Sequence, residues 1–384
     1  MGKRVAIVGT GQTECRSARK DVNGQELIHE AVTRALEDAE LGREDIDAIV
    51  IGNMDHFEGI NYVDTCVDGS GAFMKPILKV TTGGTTGTTV AMAAYYHVAS
   101  GLFGKVLAIG WEKNSESDTT GAIITAFDPI LDRPVFGGAI GGLAAAATRY
   151  MAMTGATQED AARVAVRDRR HALNNPYSHL KIEITVEDVM KSPMISYPLK
   201  YLDMCPRTDG ACAVIFASED VAPRIASQPA WVLGTVNRHN YALTGDPPWE
   251  GLPTMRESSA VLYRKLGIRE PLKEFDLMEL YLPCSFAGIE WIEDLGLVAR
   301  GQGPRLVNDG VTDMEGELPI NPSGGVLSSN PIGATGLQRV AECAIQIMGK
   351  AGKRQIQGAR RALASGFGGC FWTDLMAIGA DKPR

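Results

Sequence analysis

The stretch that most suggests chemistry is residues 80–91, VTTGGTTGTTVA, which runs directly into an apolar segment of helical character. Backbone N–H groups at the start of a helix have no partner within the helix and can stabilise an oxyanion. The glycines at 83, 84 and 87 would let a bound group approach that backbone closely. Because the stretch lacks the Gly-Lys-Ser/Thr ending of a P-loop, we expect it to hold an oxyanion and not a nucleotide phosphate.

Thiols are the other reactive groups, and the seven cysteines occur singly. The sequence has no Cys-x-x-Cys pair and no histidine at metal-ligand spacing. This pattern predicts reduced thiols in the cytoplasm and no metal bound by this chain. The cysteines are Cys15, Cys66, Cys205, Cys212, Cys284, Cys343 and Cys370.

Charge and hydropathy narrow the possible partners. The formal net charge is −8 and the sequence pI is about 5.4, which gives no basic surface for nucleic acid. No apolar segment approaches the ~18 residues of a membrane span, and the apolar start is too short for a signal peptide. We therefore expect a cytoplasmic protein with small-molecule or protein partners.

The elements that must position these residues alternate as strands and helices in two rounds, which predicts an α/β protein. Both rounds contain a Gly-rich turn that leads straight into a long helix, at residues 83–87 and 324–336. If the rounds are two similar halves facing each other, the two helix starts meet at a shared centre. We expect the halves at 1–225 and 226–384, with a loop domain inserted at about 114–207.

Four motifs within these elements occur in a fixed order. They are GTTGTTVAMAAYYHVASGLFGKVLAIGWEK (84–113), CPRTDGACAVIFAS (205–218), INPSGGVLSSNPIGATG (320–336) and ALASGFGGCFW (362–372). Together they resemble the thiolase superfamily, in particular its sterol-carrier-protein-type and archaeal-type members. The resemblance implies the thiolase fold, with two βαβαβαββ halves in a five-layered αβαβα body. It also implies a homodimer that handles coenzyme A thioesters.

The matched catalytic positions depart from the family pattern. Gly84 stands where a thiolase has its nucleophilic cysteine, and Asn330 stands where it has the activating histidine. The acid/base cysteine of the closing loop matches Ala364. A fourth motif matches Tyr281 and, with a shift of one residue, Cys284. On this basis we expect Cys284 to be the only thiol in the reaction centre.

Some chemistry survives these substitutions. The resemblance implies that the loop around Gly368 supplies a second oxyanion hole, and Asn330 can donate to an enolate oxygen but cannot take a proton. Tyr281 and Cys284 are the candidate acid/base groups if their pKa values are lowered; simple packing in the core is the alternative for both. For coenzyme A itself, the resemblance points to Arg170, His171, Ser323 and Gly324, although Arg170 and His171 could equally be charges on a solvated helix.

The resemblance leaves three functions open. Retro-Claisen cleavage of a β-keto acyl-CoA by coenzyme A is the first, with an aryl substrate such as benzoylsuccinyl-CoA permitted by Phe136, Phe286 and Trp291. Retro-aldol cleavage of a β-hydroxy acyl-CoA, as in the related steroid side-chain aldolases, is the second. A non-catalytic acyl-CoA-binding subunit is the third. The similarity to benzoylsuccinyl-CoA thiolase further implies a small zinc-ribbon and OB-fold partner.

Overall fold

The computed structural model describes residues 2–54, 63–136, 138–240, 251–369 and 372–383. Its strands are β1 (Val5–Gln12), β2 (Ala48–Gly52), β3 (Ile77–Lys79), β4 (Lys105–Lys113), β5 (Met194–Ser196), β6 (Leu199–Lys200), β7 (Asp209–Ser218), β8 (Ala230–His239), β9 (Leu277–Glu279), β10 (Arg361–Gly368) and β11 (Trp372–Gly379). Its α-helices are α1 (Gly24–Ala39), α2 (Val63–Ser70), α3 (Thr86–Ala99), α4 (Thr119–Ile124), α5 (Arg133–Phe136), α6 (Ala139–Thr154), α7 (Gln158–Ala172), α8 (Val186–Lys191), α9 (Ala222–Ile225), α10 (Pro253–Leu266), α11 (Pro271–Glu274), α12 (Ala287–Asp294), α13 (Gly303–Asn308), α14 (Gly325–Ser328) and α15 (Ile332–Ile347).

The sheet order reveals an internal duplication. Within the described residues, nine strands hydrogen-bond in the order β3-β2-β4-β7-β1-β8-β11-β10-β9. From the junction of β1 and β8 outward, the strands of the first half follow in the order β1, β7, β4, β2, and those of the second half in the order β8, β11, β10, β9. In both halves the first strand pairs antiparallel with the last strand of that half. A parallel bridge between Met278 and Ile320 marks the position that β3 occupies in the first half. The predicted pair of similar halves is confirmed.

Alternation along the strands builds the layers. In β4, Val106 and Ala108 face a core shared with α3 and α15, whereas Leu107 and Ile109 face a second core under α1. Successive strand residues point to opposite faces, so a sheet covered on both sides is apolar throughout. The strands of the second half share the α3 and α15 core on one face and pack on α10 and α12 on the other. The described elements therefore stack as the predicted αβαβα layers.

The two central helices, α3 and α15, touch through glycine. A Cβ added at Gly87 would lie 2.4 Å from the backbone nitrogen of Leu337, and one added at Gly336 would lie 2.5 Å from that of Thr88. Only residues without a Cβ allow the two backbones to come this close. The crossing falls in the first turns of both helices, so the two helix starts do meet at a shared centre.

Helix starts elsewhere carry ordinary capping signals. A capping box at Asn23 and Glu26 opens α1, and another at Thr157 and Asp160 opens α7, because Asn and Thr side chains satisfy otherwise unpaired N–H groups. In contrast, the N-cap residues of α3 and α15 provide no side-chain cap. In α15 the backbone N–H of Gly333 donates instead to the buried carboxylate of Glu112 at 3.0 Å, whereas the start of α3 keeps the partial positive charge that favours an anionic ligand.

The segment between β4 and β7 packs across the second half. Its helix α7 contacts α12, α13 and α14, and the segment includes the β5–β6 hairpin. Helix α10 begins at Pro253, because proline is favoured in the first turn of a helix. The division of the chain at 225/226 remains a prediction. Within the described ranges, no helix has the length and apolar character needed to span a bilayer.

Candidate active site

The threonines of the Gly/Thr stretch form a network around a buried carboxylate. The hydroxyls of Thr88 and Thr89 each lie 2.8 Å from Oδ2 of Asp374 on β11, and Asn237 donates to its Oδ1. Thr82 donates to the hydroxyl of Thr89 at 2.9 Å. The start of α3 is thus tied by side chains to the sheet of the other half. This role of Asp374 could not be predicted from the sequence, since the contact spans 285 residues.

Gly84 lies against the backbone of β10. A Cβ at this position would sit 2.4 Å from the carbonyl oxygen of Phe367 and 3.4 Å from Cα of Gly368. Gly368 in turn has Thr85 beside it, with 3.3 Å between an added Cβ and the threonine hydroxyl oxygen. The structure therefore brings the two predicted oxyanion-binding segments, at Gly84 and at Gly368, into direct contact. It also leaves no room for a side chain at Gly84.

Tyr281 and Asn330 are joined directly. The Tyr281 hydroxyl donates to Oδ1 of Asn330 at 3.2 Å, and Thr335 donates to the same oxygen at 2.9 Å. The Tyr281 backbone N–H donates to the hydroxyl of Ser365 on β10 at 2.9 Å, and its ring lies 6.3 Å from that of Phe367. These contacts place Tyr281 and Asn330 next to the strand whose end carries Gly368.

The expectation of lowered pKa values is wrong for both acid/base candidates. Burial raises the pKa of Tyr281 above its ordinary value, and a nearby thiol at Cys205 adds to the effect. Burial also raises the pKa of Cys284 to about 12, although the backbone N–H of Ala287 opposes the change. Desolvation disfavours the charged form of either group. At neutral pH both remain protonated and can act only as proton donors.

The environment of Cys284 is a packed core. Its side chain is 2% exposed and belongs to the apolar cluster that includes Phe286 and Ile289. Buried cysteine in such surroundings behaves as a small apolar side chain. Its catalytic role remains a prediction.

Cys205 is the thiol that sequence reasoning missed. It is partly exposed, and Nδ2 of Asn330 donates to its sulfur at 3.2 Å. Its backbone N–H donates to the carbonyl of Pro283 at 3.1 Å, so the segment that carries Cys205 pairs with the segment that carries Cys284. The available signal was its position at the head of the CPRTDG motif. The expectation that Cys284 is the only thiol of the reaction centre remains a prediction, and the structure places a second thiol, Cys205, beside Asn330.

The four residues expected to bind coenzyme A lie where the end of α7 meets the turn before α14. Arg170 is half exposed and pairs with Asp313 at 2.8 Å. His171 is 1% exposed, with Nδ1 3.0 Å from the carbonyl oxygen of Asn321; burial lowers its pKa, and a neighbouring arginine acts in the same direction. Of these two, only Arg170 reaches solvent.

Ser323 and Gly324 complete that turn. The Ser323 hydroxyl donates to Oε2 of Glu279 at 2.8 Å, and Arg339 donates to the same carboxylate. A Cβ on Gly324, whose φ is +90°, would lie 2.7 Å from Cα of Ala172. Both residues are thus engaged in packing within the chain, and their part in coenzyme A binding remains a prediction.

Some sequence-derived hints fall outside the described residues, namely Cys370 and the side chains of Cys66 and Phe136. Of the residues suggested for an aryl group, Phe286 is 1% and Trp291 5% exposed, and the Trp291 ring lies 4.6 Å from that of Phe367. In the part of the chain that the structure describes, no three His, Cys, Asp or Glu side chains gather as a metal site would require.

Comparison with known proteins decides the family. Residues 5–220 match the profile described as "Thiolase, N-terminal domain", and residues 237–380 match "Thiolase C-terminal domain-like". The chain belongs to the thiolase family. This confirms the predicted family and fold.

Relatives of this thiolase-family chain span nearly its whole length. An acetyl-CoA acetyltransferase of Methanothermobacter thermautotrophicus is 33% identical, over 97% of this chain and 98% of the relative. The benzoylsuccinyl-CoA thiolase subunit BbsB of Thauera aromatica is 31% identical, over 96% of each. A solved structure described as the Ltp2-ChsH2(DUF35) aldolase is 27% identical, covers 98% of each chain and has a TM-score of 0.84. The thiolase-family chain is therefore similar both to acyltransferases and to an aldolase.

Proposed function

We propose that this thiolase-family chain cleaves a carbon–carbon bond of a β-keto acyl-CoA by direct attack of the coenzyme A thiol, without an acyl-enzyme intermediate. The observation that carries the proposal is the contact of Gly84 with the Phe367 carbonyl, because a Cβ 2.4 Å from that oxygen cannot be accommodated. Glycine offers no side-chain nucleophile at this position, and the close contact supports the absence of one there. In this proposal coenzyme A supplies the nucleophile.

The polar groups that remain suit an attack of this kind. A thiol adding to a ketone creates an oxyanion, and departure of the acyl-CoA fragment creates an enolate. Both are stabilised by neutral donors held in a buried site. Asn330 is such a donor through Nδ2. Tyr281 becomes one when its hydroxyl turns away from Asn330 Oδ1, which keeps its Thr335 donor, and the raised pKa of Tyr281 keeps that hydroxyl protonated. The backbone at Gly84 and Gly368, beside the uncapped start of α3, adds further donors.

Retro-aldol cleavage is the second candidate, and the same glycine favours it because that reaction needs no nucleophile. The 27% identity to the Ltp2-ChsH2(DUF35) aldolase over 98% of the chain also supports it. A retro-aldol step must begin with removal of a hydroxyl proton, which requires a base. Burial raises the pKa of Tyr281 and of Cys284, so neither is ionised to serve as that base at neutral pH. We therefore rank it second.

The relatives support a proposal for the substrate of this chain and for its subunit composition. Because BbsB is named as a subunit of a thiolase that acts on benzoylsuccinyl-CoA, we propose an aryl β-keto acyl-CoA as substrate and a hetero-oligomer with a small zinc-ribbon and OB-fold subunit. We further propose a homodimeric core, in the cytoplasm, that binds the coenzyme A nucleotide near Arg170.

The experiment follows acyl-CoA release by the full chain, alone and with a zinc-ribbon and OB-fold subunit encoded beside it. The substrates are acetoacetyl-CoA, benzoylacetyl-CoA, benzoylsuccinyl-CoA and the matching β-hydroxy esters, each with and without added coenzyme A. We expect cleavage of a β-keto ester only when coenzyme A is present, with two acyl-CoA products. Cleavage of a β-hydroxy ester without coenzyme A would instead establish the aldolase. No cleavage in any combination would contradict both and leave an acyl-CoA-binding role.

A further inference from the structure

Cleavage of either kind leaves an enolate whose α-carbon must receive a proton, and neither Gly84 nor Ala364 can supply it. Ala364 is fully buried within β10 and has no proton to give. The proton donor must be a group that reaches the site, carries an acidic hydrogen and can be reprotonated after each turnover. Cys205 has the required chemistry.

The position of Cys205 is fixed by the same amide that holds Tyr281. Asn330 accepts the Tyr281 hydroxyl on Oδ1 and donates from Nδ2 to the sulfur of Cys205 at 3.2 Å. Two further contacts hold Asn330, one from its own N–H to Thr208 at 3.2 Å and one from Asn114 to its carbonyl at 3.1 Å. Since the sulfur accepts from Asn330, its own S–H is left to point elsewhere. Among the cysteines whose side chains are described, Cys205 is partly exposed while Cys15, Cys212, Cys284 and Cys343 are buried.

A buried cation provides an independent observation. Arg169 is 1% exposed, donates to the carbonyl of Leu327, and has an Nε without a hydrogen-bond partner among the described residues. Burial raises the pKa of Cys205 to about 11, and the Asn330 hydrogen bond and the Arg169 charge oppose that rise. A buried guanidinium near a thiol stabilises the thiolate that remains once the proton has left.

We propose that Cys205 is the acid that protonates the α-carbon of the acyl-CoA enolate and is recharged by the attacking coenzyme A thiol. The inference deepens the proposed thiolysis and rests on it. In the step, a bond forms between the coenzyme A sulfur and the β-carbonyl carbon, and the bond between the α- and β-carbons breaks. Its electron pair takes the Cys205 proton at the α-carbon. The proton of the coenzyme A thiol moves to the oxyanion formed at the β-carbon during the attack, and it passes to the Cys205 thiolate when the carbon–carbon bond has broken and the carbonyl re-forms, so nothing is oxidised or reduced.

Exchange of α-hydrogens tests this role without requiring cleavage. The wild-type chain, alone and with its partner subunit, is incubated in D₂O with acetyl-CoA, propionyl-CoA or succinyl-CoA, and deuterium uptake is followed by mass spectrometry. The variants are Cys205→Ala, Cys205→Ser and Cys284→Ala, with Cys343→Ala in the core of α15 as a matched control. We expect exchange in the wild type and in the control, at a rate that rises with pH because the minor thiolate form of Cys205 must remove the α-proton. Both Cys205 variants should lose about 100-fold or more of this rate, the usual size of a general acid–base contribution.

The outcomes separate this inference from the proposed function. Exchange that depends on Cys205 in an enzyme that cleaves no β-keto ester would leave the acid assigned and overturn the thiolysis. Thiolysis at the wild-type rate in Cys205→Ala would overturn the assignment of Cys205 as the acid and leave the proposed thiolysis standing. Loss of exchange in Cys284→Ala but not in the Cys205 variants would overturn the inference in favour of Cys284, and so would a wild type that exchanges no ester.

A measurement on the unmodified chain covers the case in which a variant fails to fold. Iodoacetamide labelling is followed at each cysteine by peptide mass spectrometry, with and without acetyl-CoA. We expect Cys205 to be labelled faster than Cys284 and to be protected by the thioester, with a labelling rate that rises with pH because the thiolate is the reactive form. Equal labelling with and without the thioester would contradict a place for Cys205 in the site.

Discussion

At the scale of single residues, we predict that this chain keeps the donors of a thiolase site and lacks its nucleophile and base. Gly84 contacts the Phe367 carbonyl so closely that the substitution involves more than a lost thiol. Asn330 replaces a histidine, and its two ends are occupied by Tyr281 and Cys205. Hydrogen bonds to both ends of an amide fix its orientation. The site is therefore organised around Asn330.

Restoring the missing cysteine should not restore a conventional thiolase. In Gly84→Cys the new Cβ would overlap the Phe367 oxygen, and overpacking of this kind costs about 1–3 kcal/mol. Urea denaturation should show that loss, and incubation with an acyl-CoA should give no acyl-enzyme by mass spectrometry. Gly369→Ala, where an added Cβ meets no atom of the described residues within 4 Å, should keep wild-type stability. A stable, acylated Gly84→Cys protein would refute the steric argument.

Removing the Tyr281 hydroxyl should lower the rate with little effect on folding. Tyr281→Phe keeps the ring beside Phe367 and leaves Asn330 Oδ1 with its Thr335 donor. Loss of one oxyanion donor typically lowers kcat by about 100-fold or more. Steady-state kinetics on the cleaved β-keto ester would measure it, with Tyr197→Phe, whose side chain is 58% exposed, as the control. A change confined to KM would indicate a binding role.

At the scale of elements, the decisive contact is between α3 and β11. The threonines that open α3 converge on Asp374, which is fully buried. Burial raises the pKa of this carboxyl to about 6 despite the hydrogen bonds from the threonines and Asn237. The residues that hold the helix start are thus sensitive to pH near neutrality.

Stability should depend on pH through Asp374. Its pKa in the folded protein lies above the unfolded value of about 3.9, so the folded state holds the proton more tightly. Its contribution to stability is therefore present below about pH 4 and lost as the pH rises through about 6. Between pH 4.5 and 7.5 the loss is about 2 kcal/mol.

Asp374→Asn, which mimics the protonated acid, should remove that dependence. Relative to wild type, the free energy of unfolding of the variant should rise by about 2 kcal/mol from pH 4.5 to 7.5. Urea denaturation at both pH values measures the difference, and the same substitution at the exposed Asp381, which pairs with Arg360, is the control. A difference between variant and wild type that stays constant with pH would contradict the role of Asp374.

At the scale of the whole molecule, the halves are joined by a short strand pairing and a helix crossing. β1 and β8 pair through Ala6 with Trp231 and Ile7 with Ala230. The crossing of α3 and α15 brings their backbones together at Gly87 and Gly336. The two predicted oxyanion-binding segments, at Gly84 and Gly368, come from different halves, so their contact depends on how the halves are joined.

A methyl group at the crossing should weaken the whole fold. Gly87→Ala and Gly336→Ala each place a Cβ against the backbone of the other helix, at a cost of about 1–3 kcal/mol. Because each substitution separates the same two backbones, the double variant should lose less than the sum of the singles by more than about 0.5 kcal/mol. Urea denaturation of the four proteins forms the cycle. Strict additivity would show that the two positions do not share one contact.

The α/β class, the duplication and the family could be predicted from the sequence alone. So could the match of Gly84, Asn330 and Tyr281 to catalytic positions of the family. These depend on local periodicity and on motifs that are contiguous in the chain. Three contacts required the folded structure: the backbone that leaves no room for a side chain at Gly84, the position of Cys205 beside Asn330, and the hydrogen bonds of Asp374 to the threonines of α3. Each of these contacts joins residues more than 100 positions apart. The pKa values also reversed the expected direction, because burial depends on how the layers pack and desolvation then outweighs the nearby dipoles.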